Sequence, residues 1–582
     1  TIVGSGGNDT INGNDGNDTI TASVAGNYTV TGGAGTDSVD FGATLTQNDS
    51  FDGGAGTDTL TLSNASVTAV KALTVSQINT LNAGIKNVEI LDFGTTLAQD
   101  IDLGRLDGLS SVLIGSLAGV ATLSGLAATN NIEVSATAGS GVLTLGLTDA
   151  TGTADVVNVN FKAAALIDQD ITAANVETIN FTGNDAATGN ASTINVSTLV
   201  ATKATTITVS GNDGFNLTNT GNTKITTFDA SGVVANDALD LIANMAVTFV
   251  SANTSTTASV AITGGAGSDS LTGGSTIDTI IGGAGEDSIV ASAGNDVVDA
   301  GTGNDTVTFS DTLFDNNSAT TATHTGGAGT DILTFSGTAT VVDADFARLT
   351  SFETFTLLSG TSSAVFASEA DATGITVING GSGADTIDVS SVDFDNAVTI
   401  KGGVAIDAIA LGTQVADVVL SSGLSIDTLS GFTTGTDDIH IDLSDLETVS
   451  ATETSITHDY IGGLGTSVVA GDSIVIQAIA GASIMTAANV LNYTAATVAD
   501  AAALETALQA GGGLITTGAT GVTDNDAMFI MYDNSSVIVL AVIAAEATVA
   551  ANTKIAAWEA MDLVTLTGVT ADLVAGDFAF IA

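Results

Sequence analysis

The 582-residue chain contains no cysteine and no proline. Without cysteine there is neither a disulfide framework nor a thiolate metal site, so packing or oxygen-ligated metal must stabilise the fold. Basic residues are scarce: nine Lys and Arg stand against 64 Asp and Glu, a formal charge of −55. That balance excludes nucleic acid and anionic membranes as main partners. No run of about 18 uninterrupted apolar residues occurs, which leaves no transmembrane helix. The opening residues do not read as a signal peptide. Histidine occurs only at 324, 440 and 458. None lies in an HExxH frame, and no Gly-x-Ser-x-Gly occurs, so zinc-protease and lipase chemistry have no carrier and no enzymatic activity is expected. The three histidines read as surface or loop residues.

What is present is 44% hydrophobic, rich in Val, Ile, Ala and Thr, with 68 glycines. That is enough apolar material for a core, and its type favours short strands and tight turns. Residues 264–308, "GGAGSDSLTGGSTIDTIIGGAGEDSIVASAGNDVVDAGTGNDTVT", are five nine-residue units in one register. Asp269, Asp278, Asp287, Asp296 and Asp305 recur, each followed two positions later by Leu271, Ile280, Ile289, Val298 or Val307. The unit reads Gly-Gly-x-Gly-x-Asp-x-U-x, with U a large aliphatic residue. Its last three positions suit a very short strand with one inward side chain, and its first six suit a turn that needs glycine. Two units then make one coil of a parallel β-roll, and coils stack at about 4.8 Å. The aspartates fall into two columns, one on each side. Together with turn carbonyls they offer an oxygen-only cage for a hard cation taking several ligands, which points to calcium.

The unit is similar to the RTX nonapeptide repeat, whose tandem arrays form a calcium-binding β-helix. The resemblance implies a right-handed, all-β parallel β-solenoid or β-roll with calcium between turns two units apart. Here that pairs Asp269 with Asp287, Asp278 with Asp296, and Asp287 with Asp305, with Gly264, Gly265, Gly267, Gly282, Gly283 and Gly285 shaping the turns. Further copies put Asp9, Asp18, Asp37, Asp58, Asp331 and Asp385 at the ligand position, with Gly326, Gly329, Gly380 and Gly383 in their turns. "GGVAIDAI" (402–409) lacks the third glycine, and Asp407 is not expected to be a ligand.

A second motif recurs in "IKNVEILDF" (85–93), "AANVETINF" (173–181), "LTSFETFTL" (349–357) and "LSDLETVS" (443–450). Glu89, Glu177, Glu353 and Glu447 are candidate metal ligands or catalytic acids by type, but read rather as strand-edge caps or acceptors of a turn hydrogen bond. Treated as one solenoid of ~20 residues per coil, residues 1–435 would give ~22 coils spanning roughly 100 Å. Past residue 436 the texture changes. Helices are expected at 497–513 and 553–561, a hairpin at 526–543 and a strand at 562–570, together forming a small C-terminal cap with one or two helices.

The low Lys content, the absence of Cys and Pro, the Thr, Ala, Gly and Asn enrichment and the "NVETI"-like motifs resemble Gram-negative RTX S-layer proteins of the caulobacterial type. This implies an N-terminal RTX-containing β-roll (1–60), a solenoid with other rungs (61–260), an RTX β-roll and continuing solenoid (261–435), and a cap (436–582) carrying a type I secretion signal within "TADLVAGDFAFIA". It also implies a self-assembled calcium lattice on the outer cell surface, docked on lipopolysaccharide or other polysaccharide through a region not identified here. An RTX adhesin, or the export module of a larger secreted protein, are the alternatives.

Overall fold

A computed structural model describes residues 1–411 apart from 94–95, 107, 118, 136–140, 150, 163–165, 185–193, 220, 236–241, 256, 293, 295, 311–322, 392–397 and 404–406; beyond 411 it describes strands between 416 and 581 and Leu504. The chain is an all-β parallel β-solenoid of about 16 turns. It divides into two compact units, Thr1–Asp305 and Thr306–Ala582. No helix among the described residues is long and apolar enough to cross a membrane.

In the first unit one sheet climbs from Ile2–Val3 through Thr19–Thr21 and Ser38–Asp40 to Thr279–Ala284 and Val297–Thr302, each strand parallel to the next. A second sheet runs from Ile101–Asp102 to Ser288–Val290, also parallel. Successive side chains in a strand point to opposite faces, so one register row is buried in every coil. Ile207, Phe228, Ile262, Ile280 and Val298 form such a row, each at most 1% exposed. Leu217, Phe249, Leu271 and Ile289 form its counterpart in the second sheet. The aliphatic residues of alternate nonapeptides thus go to alternate sheets, two units per coil. Aromatic stacking adds to the column where coils are larger: Phe228 and Phe249 lie 4.0 Å apart between ring centroids, and Phe181 and Phe215 lie 4.8 Å apart.

Coil length is not uniform. Partners one coil apart are separated by 18 residues in the tandem array, but by 28 around Asn195 and 31 around Glu89. That is why there are fewer coils than the ~22 that a constant ~20-residue coil would give. The 31-residue coil carries two helices, Asn64–Ala72 and Val75–Gly84, which the sequence reading did not anticipate. Their starts are encoded locally. Ser63 accepts from the Ser66 amide, and Thr74 and Gln77 form a reciprocal capping box. Val67, Val70, Ile78 and Leu81 turn their apolar face onto the coil.

In the second unit a parallel sheet runs from Thr306–Ser310 through Ile332–Ser336 and Thr354–Leu357 to Asp438–Asp442, with Phe578–Ile581 added at its edge. A second begins at Thr340–Val341 and reaches Asp427–Ser430, to which Trp558–Thr567 adds in parallel. The C-terminal segment therefore covers both sheet edges of the last coil, removing exposed rows of backbone donors and acceptors. The expected hairpin is present as Ala527–Asp533 against Val537–Ala545. The helix expected at 553–561 is corrected: Trp558–Thr567 is a strand pairing antiparallel with Val537–Ala545. Pairing on both of its edges overrides the helical preference of an Ala- and Glu-rich stretch. Of the helix expected at 497–513, Leu504 is helical and the other residues lie outside those described.

Truncating the buried row should cost far more than truncating the outer one. Ile280→Ala is expected to destabilise the calcium-loaded chain by about 2–5 kcal/mol. Ile281→Ala, at a position 38% exposed, should cost about 0.5 kcal/mol. Chemical unfolding of the two variants side by side checks this; equal midpoints would refute the assigned core.

Candidate calcium sites

Each nonapeptide turn is built by glycine. Gly283 and Gly285 sit at φ 115° and 121°, in the left-handed region, and Gly301 and Gly303 one coil on at 110° and 136°. A methyl group on Gly283 or Gly285 would collide with the carbonyl oxygen of Gly265 or Gly267 in the coil below. Glycine is therefore required twice over, for conformation and for close stacking of backbones.

The aspartate then bridges coils. Its Oδ1 accepts a hydrogen bond from the amide of the aspartate one coil earlier. The bond is 2.7 Å from Asp269 to Asp287, 2.7 Å from Asp278 to Asp296 and 2.8 Å from Asp287 to Asp305. These are the three pairs implied by the repeat. The N-terminal column runs the same way, from the Asp18 amide to Asp37 and from the Asp37 amide to Asp58, both at 2.8 Å.

The other carboxylate oxygen has no protein donor at several of these positions. Oδ2 of Asp37, Asp58, Asp287, Asp296 and Asp385 is buried without a hydrogen-bond partner. At Asp37, Asp58, Asp287 and Asp385 it points at the first glycine of its own unit. A methyl group on Gly282 would collide with Asp287 Oδ2 and with the Ala300 carbonyl of the next coil. The same two-oxygen cradle surrounds Gly264 (Asp269 Oδ2, Gly282 carbonyl), Gly32 (Asp37 Oδ2, Gly53 carbonyl) and Gly380 (Asp385 Oδ2, Gly402 carbonyl). A buried carboxylate oxygen facing a carbonyl oxygen calls for a cation, and an all-oxygen set suits calcium. Among the described residues no three His, Cys, Asp or Glu side chains gather as one metal cluster, so carbonyl oxygens must complete the shell.

Electrostatics agree. Burial, then repulsion from Asp269 and Asp305, pushes the Asp287 carboxyl up to about 7. Burial and Asp278 push Asp296 up to about 8. Asp269 rises to about 6 by burial, held back by backbone donors at Gly265 and Val247.

The remaining expected ligands divide. Asp331 and Asp385 are buried, with Gly326 and Gly380 facing their Oδ2 atoms; Gly329 is left-handed at φ 153°, and a methyl group on Gly383 would collide with the Gly360 carbonyl. Asp9 is not brought against another carboxylate. It accepts from the Ser5 amide and hydroxyl, and Tyr28 takes the aspartate position one coil on.

Several ladder residues went unread in the sequence. Asp49 accepts from the Tyr28 amide at 2.7 Å, and Ser362 Oγ from Ala339 at 3.1 Å. Asp407, not expected to take part, accepts from the Asp385 amide at 2.6 Å like any other member of the ladder. Burial and Asp385 push it up to about 7. The glutamates do accept turn hydrogen bonds, as read: Glu89 from the Asp58 amide at 2.9 Å, Glu177 from Asp155 at 3.1 Å and Glu353 from Asp331 at 2.7 Å. Glu447 lies outside the described residues. The usable signal was an oxygen-bearing residue two positions before an inward apolar one, as in Asp49-Ser-Phe51, Asp407-Ala-Ile409 and Glu89-Ile-Leu91. His324 is corrected from a surface to a buried position: it lies in His324–Ala328, edge-on to Phe309, its pKa pushed down to about 4 by burial and Arg348. His440 lies in the strand Asp438–Asp442, and His458 outside the described residues.

A parallel solenoid with stacked, oxygen-lined glycine turns defines a class of calcium-binding rolls. The model of the RTX calcium-binding nonapeptide repeat (4 copies) matches residues 1–24, 40–64, 261–276, 272–307 and 373–391. The chain accordingly carries RTX-type repeats, and these imply calcium binding. RTX repeat proteins are typically secreted. No curated protein matches the chain.

The raised carboxyls fix a pH dependence. Between about 4 and 8 the calcium-free folded chain holds protons that the unfolded chain has released, so its stability falls as pH rises through that window. Calcium displaces those protons. Melting in calcium-free buffer should thus give a higher midpoint near pH 5 than near pH 8, and saturating calcium should reverse the order. Calorimetry near pH 7 in two buffers of different ionisation enthalpy should register proton release on binding; its absence would refute the assignment.

Proposed function

We propose that the chain is a secreted structural protein that folds on calcium and assembles with copies of itself into a two-dimensional surface layer. The observation that carries this reading is the set of stacked aspartate columns, with buried oxygens lacking donors, in a chain of charge −55. Without cations such a subunit repels both its own coils and its neighbours. Each calcium ion cancels two charges, so about two dozen would nearly neutralise it. Extracellular modules bind calcium with dissociation constants of about 10⁻⁴–10⁻³ M, which would leave the columns empty in a cytosol and filled outside. Such coupling would keep the chain exportable by a type I apparatus until it reaches calcium. The role is structural rather than catalytic on this reading, and docking to surface polysaccharide would use a region still to be located.

Titrating the purified chain from EDTA into millimolar calcium, with circular dichroism and particle size followed together, tests this. Strand signal and sheet-like assemblies should rise over the same concentration range. Folding without assembly would overturn the lattice and favour a monomeric adhesin or export module. A chain equally folded in EDTA would overturn calcium-coupled folding itself.

A further inference from the structure

The glutamate motifs at 87–89 and 351–353 are short forms of the nonapeptide turn. In the complete turn, the first glycine and the aspartate are five residues apart, as in Gly53 and Asp58. One coil later, Asn87 occupies the place of that first glycine. Its carbonyl oxygen lies over Gly53 as the Gly53 carbonyl lies over Gly32. Asn87 is held at φ 50°, a left-handed conformation that asparagine tolerates better than most residues. Only two residues on, Glu89 takes the aspartate position: its Oε2 accepts from the Asp58 amide at 2.9 Å, as Asp58 accepts from Asp37 at 2.8 Å. The turn is shorter and the side chain one methylene longer. The second unit repeats the arrangement, with Ser351 at φ 58°, its carbonyl over Gly326, and Glu353 accepting from the Asp331 amide at 2.7 Å.

What this encloses is a cradle of the nonapeptide type. Asp58 is fully buried, and its Oδ2, without a hydrogen-bond partner, is directed at Gly53 together with the Asn87 carbonyl. The charged groups that act on the Asp58 carboxyl are Asp37, Glu89 and Asp52, all acidic, and all hold it above the usual range in addition to the effect of burial. Lys86, in register beside Asp52, is exposed. A site with three oxygen sources and only negative neighbours is complete as a cation site and costly without one.

We propose that Asp58 with Glu89, and Asp331 with Glu353, each hold a calcium ion that closes the end of an aspartate column, the glutamate standing in for the aspartate of a further coil. This rests on the calcium reading of the columns. Glu177 serves as the internal contrast. It accepts the equivalent hydrogen bond from Asp155, whose Oδ2 is also buried without a partner, but Asp155 as a whole is half-buried, Asn175 is not left-handed, and Ala150 stands where the complete turn has its first glycine.

The test is to count calcium ions on the full chain by native mass spectrometry. Glutamine keeps an acceptor oxygen for the ladder amide and removes the charge. Glu89→Gln and Glu353→Gln should each carry one ion fewer than the unsubstituted chain, the double variant two fewer, and Glu177→Gln the same number. The rise in melting temperature on adding calcium should be smaller in the double variant, with no loss of its calcium-free melting temperature. Unchanged counts in Glu89→Gln and Glu353→Gln would reduce both glutamates to hydrogen-bonding caps and overturn the proposal. If either variant fails to fold, the other decides alone. An unsubstituted chain that holds no calcium would instead overturn the calcium reading of the columns, a separate failure.

Discussion

The backbone amide where each turn enters its strand is the constraint on which the rest depends. In a parallel coil this N–H points along the stack, beyond the reach of its own turn, and burial forbids leaving it without an acceptor. The next coil supplies one from a side chain. Aspartate does so in the nonapeptides, glutamate where the turn is shorter, Ser362 before Asp385, and asparagine where Asn195 accepts from the Ile167 amide; Asn222 serves the Ala201 amide at a strand's exit in the same way. Coil spacing, inward placement of the apolar residue and turn length all follow from where that acceptor must stand.

Choosing a carboxylate for this task has a consequence that serine or asparagine avoids. One oxygen answers the amide; the second is left inside a stack of like charges. Backbone donors meet it at the head of the tandem array, where Asp269 Oδ2 accepts from Gly265 at 2.6 Å and Asp278 Oδ2 from the Gly274 amide. Further along, at Asp287 and Asp296, no donor meets it. The same structural element that closes the backbone ladder therefore creates the demand for a cation. Stability and metal binding are one property here rather than two.

How much of this was legible depended on how local the information was. The two-units-per-coil arrangement was readable because a three-residue strand fixes one inward side chain, so Leu271, Ile280, Ile289 and Val298 had to alternate between sheets. The aspartate pairs followed from the same spacing. Asp49 and Asp407 escaped because the glycine signature was taken as the marker, whereas the ladder asks only for an acceptor two residues before an apolar one. The role of Asn87 and Ser351 was invisible, since their left-handed backbone is imposed by the coil beneath. Thr74 and Gln77 did carry a capping box that went unread. Trp558–Thr567 could not have been read locally, because its strand is made by partners more than a hundred residues away in Asp427–Ser430 as well as by the nearby Val537–Ala545.

The distribution of acceptors divides the first unit by the way its coils are held. From Asp18 to Glu89, and again from Asp269 to Asp305, the ladder is made of carboxylates and leans on a cation. Between them, around 195–250, the acceptors are largely neutral amides: Asn222 alone satisfies the Ala201 amide and donates to the Leu199 carbonyl at 2.7 Å. These coils and their neighbour bury Phe181, Phe215, Phe228 and Phe249, each at 0% exposure, where the tandem array from 269 to 305 buries aliphatic residues and the N-terminal nonapeptide coils bury Tyr28, Phe41 and Phe51. Large apolar area and satisfied neutral amides owe nothing to metal. In the tandem array, then, the carboxylate ladder coincides with the thinnest core, and around 195–250 aromatic packing accompanies the neutral acceptors. A chain built this way needs no disulfide at either kind of coil, and its total lack of cysteine follows from the same economy of ladder and core.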